Sequence, residues 1–405
     1  MPDRNHPFTR RQFVNQASSG LLLVPPGVAF GYQANSTVEF GLLGCGNRGS
    51  WIAPMFIEHT GARLVAAADV VRANLDGVSQ KYKVAGGRTY HGPDAYRELA
   101  ESKVDAVVIE TPPYYHPLHA KTAVAAGKHV YLAKPVAVDV PGCRDVTSAG
   151  RAAESRGLSF WIDFQMRAQE SFQEAAARVH RGDIGKPVFG QSYFHGGRSG
   201  LTKRYDGLDP ELVRLKNFYS DRELGGDILV EQGIHVIDGM NWFMQAHPVK
   251  AFGTGGRGDW TGTPQDIPGQ KGWDHYAVTY WYPNGAHVIC SEAQLGSTTG
   301  GIVTNCFGVL GTLETRYNGM LRIYGQNAWP GVEKDKTMDQ GTANNIKTFI
   351  RSIREGKPVN NAPAAVESTL SGILGRDAAL SESVVTWDEL LRSQKRYEVN
   401  LKLRW

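Results

Sequence analysis

Short apolar runs alternate with helical stretches over the first third of the chain. The run at 37–43 predicts a buried strand, and residues 50–60 can continue as a helix, interrupted or kinked near Pro54. Further strands are predicted at 63–68, 104–110 and 129–132, with a helix at 119–126 that Gly127 would stop. Strands that alternate with helices predict a doubly wound parallel sheet of the Rossmann type, with ligands at the carboxyl ends of its strands.

From about residue 159 the pattern changes to alternating, β-branched segments. Strands are predicted at 188–194, 249–254, 275–282, 286–292, 304–308 and 311–317. Pro283, Asn284 and Gly285 predict a hairpin turn between two of them. This pattern predicts an open, mostly antiparallel sheet with helices on one face. We therefore expect a first domain at 37–158 and a second at 159–405, whose helices at 344–355 and 364–382 and final segment, 396–405, close the structure by returning to the first domain.

A glycine motif follows the first strand directly. Gly44, Gly46 and Gly49 form GxGxxG between a strand and a helix, the context that a dinucleotide-binding loop requires. The first glycine permits the tight turn, the second lets the backbone approach a pyrophosphate, and the third lets helix and strand pack closely. The loop also contains Asn47 and Arg48, and the free N–H groups of the helix start would hold the phosphates.

Acidic and polar residues follow the other strands of this sheet. Asp69 ends the second strand, 20 residues after Gly49, where a carboxylate accepts hydrogen bonds from ribose hydroxyls and repels a 2′-phosphate. NAD is therefore favoured over NADP, although Arg72 weakens this preference slightly. Thr111, Pro112, His116 and Lys134 also lie at predicted strand ends, so they are expected beside the cofactor.

Together these motifs resemble the Gfo/Idh/MocA oxidoreductase family, typified by glucose–fructose oxidoreductase and inositol dehydrogenase. The resemblance rests on residues 41–49, Thr111-Pro112, residues 125–130 leading into Lys134-Pro135, and residues 225–238. The family usually has Glu-Lys-Pro where this chain has Ala133-Lys134-Pro135, and it often has Asp where this chain has Glu231. The resemblance implies hydride transfer between a nicotinamide cofactor and a sugar or sugar derivative.

A second group of polar residues lies in the later motif. Glu231, His235 and Asp238 stand at i, i+4 and i+7, which on one helix places them within roughly 40° of one another on one face. The flanking residues are apolar, so this face is expected to be buried and its polar groups to need partners or substrate. Burial is also expected to lower the pKa of Lys134 and let it exchange a proton near neutral pH.

The resemblance assigns roles to these residues. It implies that Lys134 and His235 transfer the hydroxyl proton and that Glu231 orients a sugar hydroxyl. Asp238 is interpreted as a structural residue. Gln165, with Arg167 two residues later, resembles the family's segment near the nicotinamide. The family resemblance also implies a homodimer or tetramer formed through the open sheet face.

Two loops are candidate lids over the substrate. One runs through 195–221 and carries several basic and aromatic residues, and the other runs through 253–272 and carries Trp260. Long loops beside a cleft often close over it, and aromatic rings cover the apolar faces of sugars. The same aromatic residues could instead close a subunit interface, so both interpretations stay open.

Composition argues against nucleic-acid, membrane and metal binding, and the amino-terminal residues predict export. The chain has 405 residues, 44 Lys+Arg and 40 Asp+Glu, a net charge of +4 that gives no electrostatic case for nucleic acid or an anionic membrane. Its four cysteines form no CxxC cluster, so a metal site is not expected, although Cys290 and Cys306 could pair if their strands are neighbours. Arg10 and Arg11 before a weakly apolar run predict a twin-arginine export signal over 1–36 and a periplasmic or otherwise exported protein without a membrane anchor.

Three functions remain compatible with the sequence. The first is an exported NAD-dependent sugar oxidoreductase with a tightly held cofactor. The second is a glycoside-cleaving enzyme of the same fold, in which NAD oxidises a sugar hydroxyl transiently before elimination. The third is a non-catalytic sugar-binding protein.

Overall fold

The computed structural model describes residues 37–197, 207–258, 272–296 and 300–401. The predicted export signal, Trp260 and the middle of the first lid loop lie outside these residues. Within them the chain forms two sheets, a parallel one followed by a larger mixed one.

The first sheet has six parallel strands in the order β3-β2-β1-β4-β5-β6. The strands are β1 (Glu39–Leu43), β2 (Arg63–Asp69), β3 (Thr89–His91), β4 (Ala106–Ile109), β5 (His129–Leu132) and β6 (Phe160–Ile162). The helices between them are α1 (Asn47–Thr60), α2 (Arg72–Tyr82), α3 (Ala95–Glu101), α4 (His116–Ala125) and α5 (Val140–Ser155). Pro54 lies inside α1, which continues through it. The order reverses between β1 and β4, so the crevice at their carboxyl ends is where ligands bind in such sheets.

The Rossmann prediction is therefore confirmed. The sequence predicts that the first domain ends at residue 158. In the structure β6 begins two residues later, pairs with β5 and completes the first sheet.

The second sheet has nine strands in the order β14-β13-β12-β11-β7-β10-β9-β8-β15. Its strands are β7 (Pro187–Gly196), β8 (Lys250–Gly256), β9 (His275–Trp281), β10 (His287–Gln294), β11 (Gly301–Gly308), β12 (Gly311–Thr315), β13 (Leu321–Gly325), β14 (Trp329–Val332) and β15 (Val385–Thr386). All neighbours are antiparallel except β7 and β10, which confirms the mostly antiparallel prediction. Because β7 separates β10 from β11, Cys290 and Cys306 do not lie on neighbouring strands, and both are free.

Helices of the second half cover one face of this sheet and also reach back to the first domain. They are α6 (Gln165–Ala168), α7 (Glu170–His180), α8 (Pro210–Lys216), α9 (Arg222–Gly225), α10 (Ile228–Glu231), α11 (Ile234–Met244), α12 (Thr337–Arg354), α13 (Ala362–Ser381) and α14 (Trp387–Arg392). α12 packs on α1, with the Phe349 and Phe56 ring centroids 6.5 Å apart, and α13 packs on α5. These contacts bring the second half over the carboxyl edge of the first sheet. No helix among the described residues is long and apolar enough to cross a membrane.

Candidate active site

The glycine loop between β1 and α1 forms the floor of a cleft at the carboxyl edge of the first sheet. Gly44 has φ +95°, and a Cβ there would lie 2.8 Å from the Glu110 carbonyl group. A Cβ on Gly49 would lie 1.9 Å from the Gly44 carbonyl oxygen. A Cβ on Gly46 would have the Asn74 amide nitrogen as its nearest neighbour, at 3.7 Å. The outer glycines are thus required by the chain's own packing, whereas Gly46 leaves open space towards the cleft.

The start of α1 is suited to an anion. Asn47 is its first residue, no side chain caps the helix at Gly46, and its first turn contains no acidic residue. Its backbone N–H groups and helix dipole are therefore available to phosphate oxygens. Gly44, Gly46, Asn47 and Arg48 all line the cleft, whereas Gly49 is buried beneath it.

Asp69 supports the loop from the end of β2 and also lines the cleft. Its Oδ2 accepts from the Cys45 backbone N–H at 2.6 Å, and its Oδ1 accepts from that of Val71 at 2.6 Å. Burial raises the pKa of this carboxyl, and the two backbone hydrogen bonds oppose that rise. Each oxygen keeps acceptor capacity for a ribose hydroxyl.

The Arg48 guanidinium lies between two carboxylates. It pairs with Asp163 after β6 and with Glu110 after β4, whose Oε2 lies 3.4 Å from the Arg48 Nε. Both Glu110 carboxyl oxygens are buried without a hydrogen-bond partner, and burial raises the pKa of Glu110 to about 7. Asp163 accepts further hydrogen bonds from Gln165 at 3.2 Å and Asn345 at 2.8 Å. Through Asp163, Arg48 thus links the glycine loop to Asn345 of α12.

No sequence pattern indicates this network, because its members come from different elements and share no spacing. Gln165 is buried, with its Oε1 accepting from the Tyr317 hydroxyl at 3.2 Å. It therefore lies inside the network rather than on the cleft lining.

The loop after β4 contributes Thr111 and Pro112 to the cleft, but His116 lies behind it. His116 is completely buried, with Nδ1 2.7 Å from the Pro135 carbonyl oxygen and Nε2 2.7 Å from that of Thr111. Burial lowers its pKa to about 4, so the ring is neutral at pH 7. The buried ring joins the loops that carry Thr111 and Lys134, and a direct contact between His116 and the cofactor stays a prediction.

Lys134 and Glu231 form the centre of a second group of polar residues. The Lys134 Nζ donates to the Glu231 Oε1 at 2.9 Å and to the Glu231 carbonyl oxygen at 2.5 Å. Both side chains are largely buried, 15% and 6% exposed, and the Glu231 Oε2 has no hydrogen-bond partner. Although Ala133 replaces the family's usual glutamate, Lys134 therefore has a carboxylate partner from the second half of the chain.

His235 stands beside this pair. Its ring centroid lies 6.3 Å from that of Phe194 and 5.7 Å from that of Tyr317. Burial, followed by the positive charges of Lys134 and Arg48, lowers the pKa of His235 well below its usual value. A neutral imidazole at pH 7 keeps one nitrogen that can accept a proton.

The predicted single helix for Glu231, His235 and Asp238 is wrong. α10 ends at Glu231 and α11 begins at Ile234, so Glu231 and His235 lie on consecutive helices. Gly233 lies at this junction, where a Cβ would be 2.6 Å from the Leu229 carbonyl oxygen. The break turns Glu231 towards Lys134 while His235 remains in the first turn of α11.

Asp238, interpreted from the sequence as a structural residue, is buried and pairs with Arg167. The Arg167 Nε donates to both carboxylate oxygens of Asp238, at 2.9 and 3.0 Å, and the Ser368 hydroxyl donates to Asp238 at 2.7 Å. Arg167 also lies over the Trp242 ring, 5.6 Å from its centroid. The Arg167 guanidinium, which the family resemblance predicts near the nicotinamide, thus has a buried carboxylate as its partner.

β10 adds a carboxyl group that the sequence pattern had not singled out. Glu292 is 1% exposed, with Oε1 accepting from Gln294 at 2.9 Å and Oε2 without a partner. Burial raises the pKa of Glu292 well above its usual value, and Glu231 adds to that rise. The sequence does contain a signal for this site. Alternate residues of β10 are buried, and this buried row changes from apolar to polar along the strand, through Val288, Cys290, Glu292 and Gln294.

Two sequence models of one protein family match the chain. The model described as "Oxidoreductase family, NAD-binding Rossmann fold" matches residues 38–164, and the "GFO/IDH/MocA C-terminal domain" matches residues 172–314. The N-terminal match agrees with the loop and with Asp69, and NAD is the cofactor of this domain.

Curated relatives match over parts of their length. The chain is 25% identical over 219 residues to scyllo-inositol 2-dehydrogenase (NAD(+)) of Bacillus subtilis (strain 168), covering 54% of this chain and 57% of that protein. It is 36% identical over 112 residues to a glycosyl hydrolase family 109 protein of Streptomyces niveus, covering 26% and 23%. The matches thus span less than two thirds of either relative.

A solved structure matches over almost its whole length. The scyllo-inositol dehydrogenase of Lactobacillus casei, crystallised with NAD(H) and scyllo-inositol, superposes with a TM-score of 0.68 at 19% identity, covering 87% of this chain and 99% of that one. At this identity the likeness shows that the two chains share a fold.

Proposed function

The chain belongs to the Gfo/Idh/MocA family of oxidoreductases, and on that premise we propose that it transfers a hydride between NAD and a hydroxyl-bearing ring carbon of a sugar or polyol. The observation that carries the proposal is the joining of Lys134 and Glu231 beside a neutral His235, next to a cleft built for a dinucleotide. The Bacillus relative, an NAD-dependent inositol dehydrogenase by name, supports a polyol as substrate.

The residues of the cleft fit NAD. Gly46 leaves room for close approach of a pyrophosphate, α1 offers uncapped N–H groups, and Asp69 keeps free acceptor capacity. Bound there, NAD supplies a hydride acceptor. Asp69 also disfavours a 2′-phosphate, which makes NADP the weaker ligand.

Oxidation of a carbinol breaks a C–H bond, whose electron pair leaves as hydride, and an O–H bond, whose proton needs a base. In our proposal the Lys134 ammonium holds the hydroxyl oxygen, and His235 accepts the proton on its unprotonated ring nitrogen. Glu231 fixes Lys134 through Oε1 and leaves Oε2 for a second hydroxyl of the substrate. The completely buried His116 keeps the Lys134 loop in place.

A second candidate function shares every step up to the first hydride transfer. The likeness to a glycosyl hydrolase family 109 protein, 36% identical over 112 residues, supports NAD-dependent glycoside cleavage through transient oxidation and elimination. Both functions use Lys134 and His235, so the products decide between them.

A product screen tests the proposal. Purified protein is incubated with inositols, aldoses and aryl glycosides while nicotinamide absorbance and products are recorded together. We expect a net oxidised polyol or sugar, whereas a released aglycone without net redox change would establish the second candidate. Protein that converts none of these compounds in the presence of NAD would refute both and leave a sugar-binding protein.

We also propose export through the twin-arginine route, supported by Arg10 and Arg11 ahead of a weakly apolar run. Free NAD is scarce outside the cytoplasm, so an exported enzyme requires a tightly held cofactor. Arg10→Lys combined with Arg11→Lys should leave the protein in the cytoplasm when cell fractions are immunoblotted. Unchanged export of this double variant would contradict the proposal.

A homo-oligomer is proposed from the uncovered face of the second sheet. Phe252, Ile289 and Tyr324 on that face are 43%, 48% and 43% exposed, which suits an interface better than solvent. Sedimentation equilibrium should give the mass of a dimer or tetramer, and a monomer at micromolar concentration would contradict this assembly.

A further inference from the structure

The roof of the cofactor cleft is built by two segments from the second half of the chain. One is the end of α8 with the turn that follows it, which contributes Leu215, Lys216, Phe218 and Tyr219 to the cleft lining. The other is residues 396–401, here called the C-terminal strap, which contributes Val399 and Leu401.

The strap makes three contacts upstream of its cleft residues, two with the first domain and one with α13. Arg396 pairs with Asp145 of α5 at 2.8 Å, and the Tyr397 N–H donates to the Asp139 Oδ2 at 2.9 Å. Asp139 also caps α5 by accepting from the Gly142 N–H, so it is a fixed anchor. The Arg376 guanidinium lies over the Tyr397 ring, 5.3 Å from its centroid.

Half-buried and exposed residues alternate along the strap. Tyr397, Val399 and Leu401 are half-buried, whereas Arg396, Glu398 and Asn400 are exposed. In an extended segment, successive side chains point to opposite sides. The apolar side therefore faces the protein and the polar side faces solvent, and the Val399 N–H donates to the Tyr114 hydroxyl at 3.3 Å at the edge of the cleft.

The other roof segment, formed by the end of α8 and the turn after it, is also held by ion pairs. The Arg214 Nε donates to Asp221 at 2.7 Å and its Nη2 donates to Glu223 at 2.7 Å, which closes the turn that carries Phe218 and Tyr219. Those two rings stack with centroids 4.1 Å apart. Lys216 of this segment lines the same cleft as Asp69, and its positive charge opposes the rise that burial causes in the pKa of Asp69.

We propose that the C-terminal strap is part of the cofactor site, where Val399 and Leu401 close the cleft over bound NAD and make its release slow. The inference rests on the proposed NAD-dependent function. A ligand bound against the glycine loop would also contact Val399 and Leu401, which line the same cleft, so we expect its release to require displacement of the strap. The strap thus gives the chain a physical means of keeping its cofactor through many turnovers.

The exchange of bound cofactor tests the proposal. Full-length holoprotein is mixed with excess isotopically labelled NAD, and the ratio of bound labelled to unlabelled NAD is followed by mass spectrometry. Val399→Asp with Leu401→Asp should accelerate exchange about tenfold or more, since each substitution removes the contribution of one apolar side chain to the closed state. Tyr397→Ala, which loosens the anchor without changing the cleft lining, should accelerate it to a smaller degree.

The strap provides its own matched control. Glu398→Gln with Asn400→Asp changes two exposed positions of the same segment and should leave the exchange rate unchanged, and thermal unfolding of every variant checks that it is folded. Equal exchange in wild type, V399D/L401D and Y397A overturns the proposal while NAD binding stands. A wild-type protein that neither carries nor binds NAD refutes the proposed function itself, and the strap's role with it.

Discussion

Replacing Lys134 by Met is expected to lower kcat by about 10²–10³-fold, the usual contribution of a positioned donor that stabilises charge on a reacting oxygen. Lys134 holds the substrate oxygen in the proposed mechanism, and it is 15% exposed beside Glu231 and His235. Steady-state kinetics with the substrate found in the product screen measures the loss. The amount of NAD bound per chain should fall far less than kcat, because the phosphate loop and Asp69 are unchanged.

The loss of kcat in K134M could come from lost stability or from lost chemistry, and a second variant separates the two. K134M leaves Glu231 as a buried carboxylate without its cation, which destabilises a protein by about 3–5 kcal/mol. K134M/E231Q removes that unpaired charge, so its stability should recover while its kcat stays low. Lys121→Met, at an exposed position of α4, is the matched control and should retain full activity. Wild-type kcat in K134M would contradict the assigned role.

Replacing Gly46 by Ala is expected to weaken NAD binding by roughly 10–100-fold without lowering the melting temperature. A Cβ at this position meets only the Asn74 amide, at 3.7 Å, so the folded chain can accept it. The added methyl group instead occupies the space into which a pyrophosphate must fit, and overpacking of this kind costs about 1–3 kcal/mol. Calorimetric titration with NAD measures the loss.

Alanine substitutions at two other glycines serve as controls for G46A. A Cβ on Gly77 in α2 would have nothing within 4 Å, so Gly77→Ala should keep NAD affinity and gain about 0.5–1 kcal/mol of stability. Gly49→Ala forces a Cβ to 1.9 Å from the Gly44 carbonyl oxygen and should reduce both stability and NAD binding. If G46A bound NAD as tightly as wild type, the pyrophosphate would not lie against this loop.

The first domain was predictable because its signals are local. Gly44, Gly46 and Gly49 follow a strand directly, and Asp69 ends the next one, so spacing along the chain fixes their positions at one edge of the sheet. Lys134 was found in the same way, from its place after β5. Local order also predicted the hairpin at Gly285, which has φ +84°.

The rest of the site depends on contacts between distant segments. The network of Arg48, Glu110 and Asp163 joins three separate elements, and no periodicity connects them. Glu231 and His235 were predicted on one continuous helix because the apolar periodicity continues through the junction. It gives no sign that the backbone at Gly233 lies close to the Leu229 carbonyl oxygen, where one helix ends and the next begins. The partner of Arg167 could not be predicted for a related reason, since Asp238 lies 71 residues away in the sequence.

The most direct test of the proposed chemistry is hydride transfer within the protein itself. The purified holoprotein is mixed with a polyol or sugar that carries deuterium on its carbinol carbons, and nicotinamide absorbance and the isotope content of the extracted cofactor are recorded in a single turnover. We predict reduced nicotinamide that carries deuterium, formed in the wild type and far more slowly in K134M. A cofactor that stays oxidised and free of deuterium while substrate is converted would contradict hydride transfer to NAD.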